Sequence, residues 1–221
     1  MCYIYIGHAV MDRYVYNFIS FMGGFGSLTR GRWLEMGELS VKDALVSSMY
    51  DSKGRSKLNA NVGYSDLGCD ESMDNIPFPP SKKTKVNYMW RDIERRAELY
   101  KIPVPNVPAP YPLQEFDRAN LVGIVMNDKG LYLDYFKYTY EEWFLNGNEA
   151  GSDKNLDLTL KKLNFDVKKT IDEAELMESQ YIENTKRALE FGIFGVPSFS
   201  FNNEIFWGDD RLEDAIQLIS K

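Results

Sequence analysis

Apolar residues recur along this chain at strand-like and helix-like intervals. Tyr3–Ile6 is a short apolar run suited to a buried strand, and Gly7-His8 can turn the chain after it. Beyond that turn Met11, Tyr14, Val15, Phe18, Ile19 and Met22 return at three- and four-residue steps, which predicts one apolar stripe on a helix closed by Gly23-Gly24. A second strand is expected near Arg32–Met36, completing a strand–helix–strand opening. Ser40 with Asp43 three residues on resembles a capping box and predicts a helix over Ser40–Tyr50. The periodicity then fails. Asp51–Lys85 is rich in Ser, Asn, Asp, Gly and Lys and reads as a loop longer than compact domains usually hold.

Helical spacing resumes in the middle of the chain. Candidate helices run over Val86–Tyr100, Leu113–Asn127, Gly130–Asn146, Asn155–Leu163, Asp166–Ala174 and Glu175–Phe191, with a proline-rich connection at Ile102–Pro112 between the first two. Acidic and basic residues alternate on the outer faces, which is ordinary solvation. There is no internal repeat. After Phe191 comes GIFGVPSFSFNNEIFWGDDR, Gly192–Arg211. Val196-Pro197 enters it with a residue that has no N–H to give a sheet. Ser198–Phe201 and Glu204–Phe206 read as two short strands joined at Asn202-Asn203, residues that accept the positive φ of a tight hairpin. Gly208-Asp209-Asp210 would start the last helix. Free N–H groups at a helix start favour an anion, so a strand edge for a peptide and an anion seat lie side by side in the sequence.

Composition narrows the function classes. At 221 residues the chain can bury a full core, and its formal net charge of −7 argues against a nucleic-acid partner, because phosphate binding needs clustered Lys and Arg. No run approaches the apolar length of a membrane span, and the N-terminus lacks the layout of a signal peptide, so a cytoplasmic protein without membrane attachment is expected. Cys2 and Cys69 form no Cys-x-x-Cys, which disfavours a dithiol oxidoreductase of the usual kind. No metal-ligand pattern stands out.

The pattern FGVPxF followed by FWGxDRLE resembles the C-terminal signature of the thioredoxin-fold branch that holds 2-hydroxychromene-2-carboxylate isomerases, kappa-class glutathione transferases and DsbA-type oxidoreductases. Upstream, Lys85-x-x-Tyr88-Met89-x-x-Asp92, Arg95-Arg96-Ala97, the IPVPNVPAPYP run, Arg118-Ala119 and Trp143 are similar to the first part of that family's inserted helical domain. The resemblance covers about Lys85 to Ser220; the first eighty residues match poorly. It implies an α/β chain with a thioredoxin-like fold and an inserted all-helical domain. Residues 1–85 and 192–221 would form the thioredoxin-like part, with 51–85 as its long loop, and residues 86–191 the insertion. It also implies glutathione as cofactor, a small electrophilic or aromatic acid as substrate, and a homodimer as one assembly, since such relatives are commonly dimers.

By the same resemblance the bond before Pro197 would be cis and the Val196 backbone would pair with the cysteinyl part of glutathione. Asp209 and Asp210 could simply cap the last helix; the resemblance makes Asp210 a partner for the γ-glutamyl ammonium. Arg211 is either a surface ion pair or a support for Asp210. Lys85 and Asp92, two helical turns apart, are either a solvated pair or polar contacts to glutathione, Lys85 toward its glycyl carboxylate. Family members carry Ser-Pro or Cys-x-x-Cys after the first strand, where the helix start holds a thiol as thiolate. This chain has neither. Two placements remain open. Tyr3–Ile6 as the first strand brings His8 to that position, whereas Asn17-Phe18-Ile19-Ser20-Phe21 resembles the strand-end motif locally and brings Ser20. As the only histidine, His8 is equally readable as a base or as a structural residue.

Overall fold

Two short strands far apart in sequence, β1 (Tyr3–Ile6) and β2 (Ala60–Val62), lie side by side and parallel, with Ile6 opposite Val62. The structure is a computed structural model and describes residues 3–6, 60–62, 80–100, 103–194, 198–201, 204–207 and 211–219. On the other side of β1 runs antiparallel β3 (Ser198–Phe201), which pairs in turn with antiparallel β4 (Glu204–Trp207), giving the sheet order β2-β1-β3-β4.

Between β2 and β3 the described chain is helical: α1 (Lys83–Tyr100), α2 (Phe116–Asp128), α3 (Tyr132–Phe144), α4 (Asp153–Lys162), α5 (Val167–Glu175) and α6 (Glu178–Glu190). After β4 comes α7 (Leu212–Ile219), which packs on β3 and β4, while α2 and α6 pack on β2. This is the expected α/β architecture, a thioredoxin-like sheet interrupted by helices. Its largest core is helical: Tyr135, Tyr140, Trp143 and Phe144 of α3 are buried, with ring centroids 5.4 Å apart for Tyr140 and Trp143 and 4.4 Å for Trp143 and Phe144. Among the described residues no helix is long and apolar enough to cross a membrane.

Local signals explain the helix limits. Ser152 accepts the Asn155 N–H at 3.3 Å and starts α4, and Asp166 accepts the Lys169 N–H at 2.7 Å and starts α5. At the other end of α6, Gly192 adopts φ 77°; the Gly192 N–H reaches Leu189 O at 2.8 Å and the Ile193 N–H reaches Ala188 O at 2.9 Å, a Schellman stop. Trp143 donates its indole N–H to Pro110 O at 2.9 Å, tying α3 to the proline-rich connection.

One expectation is corrected. The segment 51–85, read as a loop, contributes β2 and the first residues of α1. The parallel partner of β1 is Ala60–Val62, and with β3 on its other side both edges of β1 are taken. Residues 32–36 themselves, the helices expected over 11–22 and 40–50, and the bond before Pro197 lie outside the described residues.

Candidate functional site

Strand register determines which ends of the chain share an edge of the sheet. Tyr5 of β1 stands opposite Ser198 of β3, and Ser198 stands opposite Trp207 of β4. Because β3 runs against both neighbours, its first residue meets the last residues of β1 and β4, and parallel β2 ends there too, Val62 beside Ile6. One end of the sheet thus collects four strand ends. In sequence, Gly7-His8 follow Ile6, Val196-Pro197 precede Ser198, and Gly208-Asp209-Asp210 follow Trp207. Ser198 is buried, 1% exposed, so β3 enters the sheet at a sealed point.

Arg211 immediately precedes α7 and follows Trp207 by four residues, so the start of α7 lies within about 15 Å of the end of β4. Its guanidinium pairs with Asp214 at 2.8 Å, with side chains 52% and 47% exposed. An exposed pair of this kind contributes about 0–1 kcal/mol, and Asp210, the other partner considered for Arg211, lies outside the described residues.

Lys85 and Asp92 both lie on α1, Lys85 exposed and Asp92 only 19% exposed at its side chain. Asp92 accepts Arg95 as an ion-pair partner at 3.5 Å, one turn along. The neighbouring face of α1 is anchored by Met89 and Ile93, both fully buried, and by Trp90, whose ring meets Tyr111 edge-on at 6.3 Å. Beside Trp90 an open groove of 480 Å³ runs between α1 and Val107-Pro108. On its rim the Arg91 guanidinium holds its proton more tightly than usual, chiefly through its 2.8 Å hydrogen bond to Glu94. Among the described residues no cluster of His, Cys, Asp or Glu could hold a metal ion.

His8, Ser20, Val196, Pro197, Asp209 and Asp210 lie outside the described residues. In sequence most of them adjoin the ends of β1, β3 or β4, and Tyr3–Ile6 is one of the two inner strands of the sheet. Two features of the site went unnoticed in the sequence. Trp207 was visible within FWGxDRLE but extends β4 one residue beyond the expected end at Phe206. Phe194, just upstream of Val196-Pro197, sets its ring edge-on to Trp207 at 4.6 Å.

The chain is 28% identical over 130 residues to 2-hydroxychromene-2-carboxylate isomerase of Pseudomonas sp. (strain C18), covering 58% of this chain and 59% of the relative. To the enzyme of that name from Pseudomonas putida it is 27% identical over 132 residues, 59% of this chain and 63% of the relative. The chain thus spans about three fifths of the length of the curated relatives it matches. A solved structure of 2-hydroxychromene-2-carboxylate isomerase superposes with a TM-score of 0.69 over 99% of this chain and 94% of that one; at 19% identity the likeness is one of fold. The DSBA-like thioredoxin domain matches residues 51–220, reaching further upstream than the motifs visible by eye and taking in β2. Matched over most of its length, from β2 to α7, this chain belongs to the DSBA-like thioredoxin domain family.

Proposed function

We propose that the protein is a glutathione-dependent isomerase acting on a conjugated, aromatic-derived acid of the 2-hydroxychromene-2-carboxylate kind. The observation that carries the reading is the register Tyr5–Ser198–Trp207, which gathers the ends of β1, β3 and β4 at one edge of the sheet. The curated relatives bearing that activity by name supply the choice of reaction.

Glutathione fits the chemistry of this edge. Val196 precedes an antiparallel strand, where a backbone can pair with an extended peptide. Asp210 offers a carboxylate to the γ-glutamyl ammonium, and the start of α7 offers N–H groups to the adjacent carboxylate. Lys85 would take the glycyl carboxylate, with Asp92 as a further polar contact on the same helix. When bound, glutathione supplies a thiolate that adds reversibly to a conjugated carbon and so permits bond rotation. The chain's part is to orient the peptide and to hold its sulfur in the charged form. His8, two residues beyond the central strand, is the favoured group for that task, and Ser20 its rival.

A kappa-like transferase would use the same first step and differ in the fate of the adduct. The absence of Ser-Pro and Cys-x-x-Cys favours a third reading, a binding member without turnover. Incubating the chain with 2-hydroxychromene-2-carboxylate, with and without glutathione, separates the three. Isomerisation that needs glutathione supports the proposal. A stable conjugate points to the transferase, and binding of glutathione with neither product points to the binding member.

A further inference from the structure

The chain holds one Asn-Gly pair, Asn146-Gly147, and it lies just past the end of α3. In such a pair the side-chain amide is open to attack by the following backbone nitrogen, because glycine puts no Cβ beside that nitrogen. Both residues are exposed. Gly147 has φ 70°, and a Cβ there would meet nothing within 4 Å, so this peptide unit faces open space. The backbone around the pair is nevertheless held. The Gly147 N–H donates to Trp143 O at 3.2 Å, the long end of the ordinary range, and the Asn148 N–H donates to Glu142 O at 2.9 Å. From the proline-rich connection, Asn106 donates its N–H to Phe144 O at 2.8 Å and its side-chain amide to Leu145 O. On the other side of the pair, the Asn148 side chain donates to the Glu142 carboxylate at 2.8 Å, and Asn155 of α4 donates to Asn148 O.

We propose that Asn146 is a site of spontaneous deamidation whose rate is gated by these ties. The Gly147 backbone nitrogen gives up its proton and bonds to Asn146 Cγ, the side-chain nitrogen leaves as ammonia, and a succinimide ring results. Water then opens the ring at either carbonyl, giving aspartate or isoaspartate; no oxidant or further reactant is needed. The nitrogen cannot attack while its N–H is bonded to Trp143 O and the backbone on both sides is pinned, so the reaction runs through local opening of the turn. Its products then keep the turn open. A carboxylate at position 146 stands at the C-terminal end of α3, where the last carbonyls already carry partial negative charge, and isoaspartate lengthens the main chain inside the turn. Either change loosens the joint through which the end of α3 holds the proline-rich connection and α4. The site lies in the helical insertion and is independent of the glutathione reading.

Peptide mapping by mass spectrometry, on the full chain incubated at mildly alkaline pH, tests the site and its gate. The peptide carrying Asn146 should gain the mass of an amide-to-acid change, more slowly in the native chain than in chain unfolded in urea. Asn106→Ala, which removes the side-chain bond to Leu145 O, should speed native conversion by roughly twofold to tenfold, the factor that a hydrogen bond of ordinary strength corresponds to, and leave the rate in urea unchanged. Asn148→Ala, which removes the bond to the Glu142 carboxylate, should act in the same direction and carries the test if Asn106→Ala does not fold. Asn146→Gln should abolish the conversion, and the converted chain, separated by its added charge, should unfold at a lower Tm than the unconverted one. A native chain that keeps the Asn146 amide while the unfolded chain loses it, with both alanine variants equally inert, would overturn the site. Native conversion as fast as in urea, or unmoved by both variants, would overturn the gate.

Discussion

Gly151 passes the backbone carbonyl of Glu115 so closely that a Cβ on Gly151 would overlap its oxygen. This contact presses the turn before α4 against the start of α2. Around it, the Glu149 carboxylate accepts the N–H groups of Gln114 and Glu115, and Arg118 reaches both Gly151 O at 3.2 Å and Asp153 at 2.6 Å. Gly151 also has φ 85°, a conformation costly to any residue with a side chain.

Gly151→Ala should therefore combine backbone strain with overpacking, each costing about 1–3 kcal/mol. Urea denaturation is the check. A midpoint equal to that of the wild type would contradict the close approach.

Asn155 is fully buried and donates to Thr139 O at 2.9 Å and Asn148 O at 2.8 Å, holding α4 to α3 and to the turn that precedes it. Asn155→Leu keeps the bulk but removes both bonds; Thr139 O keeps its place in the α3 ladder, so the expected cost is about 1–3 kcal/mol in all. Thermal unfolding should show a clearly lowered Tm. A Tm at or above the wild type would mean that water replaces the amide.

The buried tyrosines of α3 should make the fold sensitive to alkali. Burial raises the pKa of Tyr132, Tyr135 and Tyr140 above the ordinary 10.0. Above pH 10 an unfolded tyrosine loses its proton while the native one keeps it, so the native state binds more protons and stability falls as pH rises. The contribution is complete below about pH 10 and is lost on the alkaline side, at up to about 1.4 kcal/mol per pH unit for each tyrosine. Denaturant midpoints at pH 8, 10 and 11 should show this decline, and Tyr140→Phe should make it shallower. An unchanged slope in the variant would refute the assignment to Tyr140.

How much of this was legible in the chain depended on whether the signal was local. The helices from α1 to α6 show in the spacing of apolar residues, and their starts follow caps such as Asp166 that act within a few residues. α4 begins at Asp153 rather than at the expected Asn155 because Ser152 is its cap. β2 escaped notice because Ala60-Asn61-Val62 has no pattern of its own; it becomes a strand by pairing with β1 across a long stretch of sequence. The hairpin was readable from Asn202-Asn203 and its flanking apolar runs. The edge that gathers the strand ends was not, since register belongs to no single segment. The pairing of Phe194 with Trp207 was equally hidden, because twelve residues separate two rings that meet only in the folded chain.

The thiol-holding group can be identified by ultraviolet absorbance of the glutathione complex across pH. With Tyr3–Ile6 as the central strand, His8→Ala should raise the pKa of the bound thiol toward its free value of about 8.5, and Ser20→Ala should leave it in place. The reverse result would assign the role to Ser20.

Calorimetric titration of the chain and of Asp210→Ala with glutathione tests the central claim most directly. The wild type should bind, and Asp210→Ala should bind about tenfold to a hundredfold more weakly, matching the roughly 1.5–3 kcal/mol of a charge-assisted hydrogen bond. Failure of the wild type to bind glutathione, or equal affinity in Asp210→Ala, would contradict a glutathione seat at the end of the sheet where Tyr5, Ser198 and Trp207 are in register.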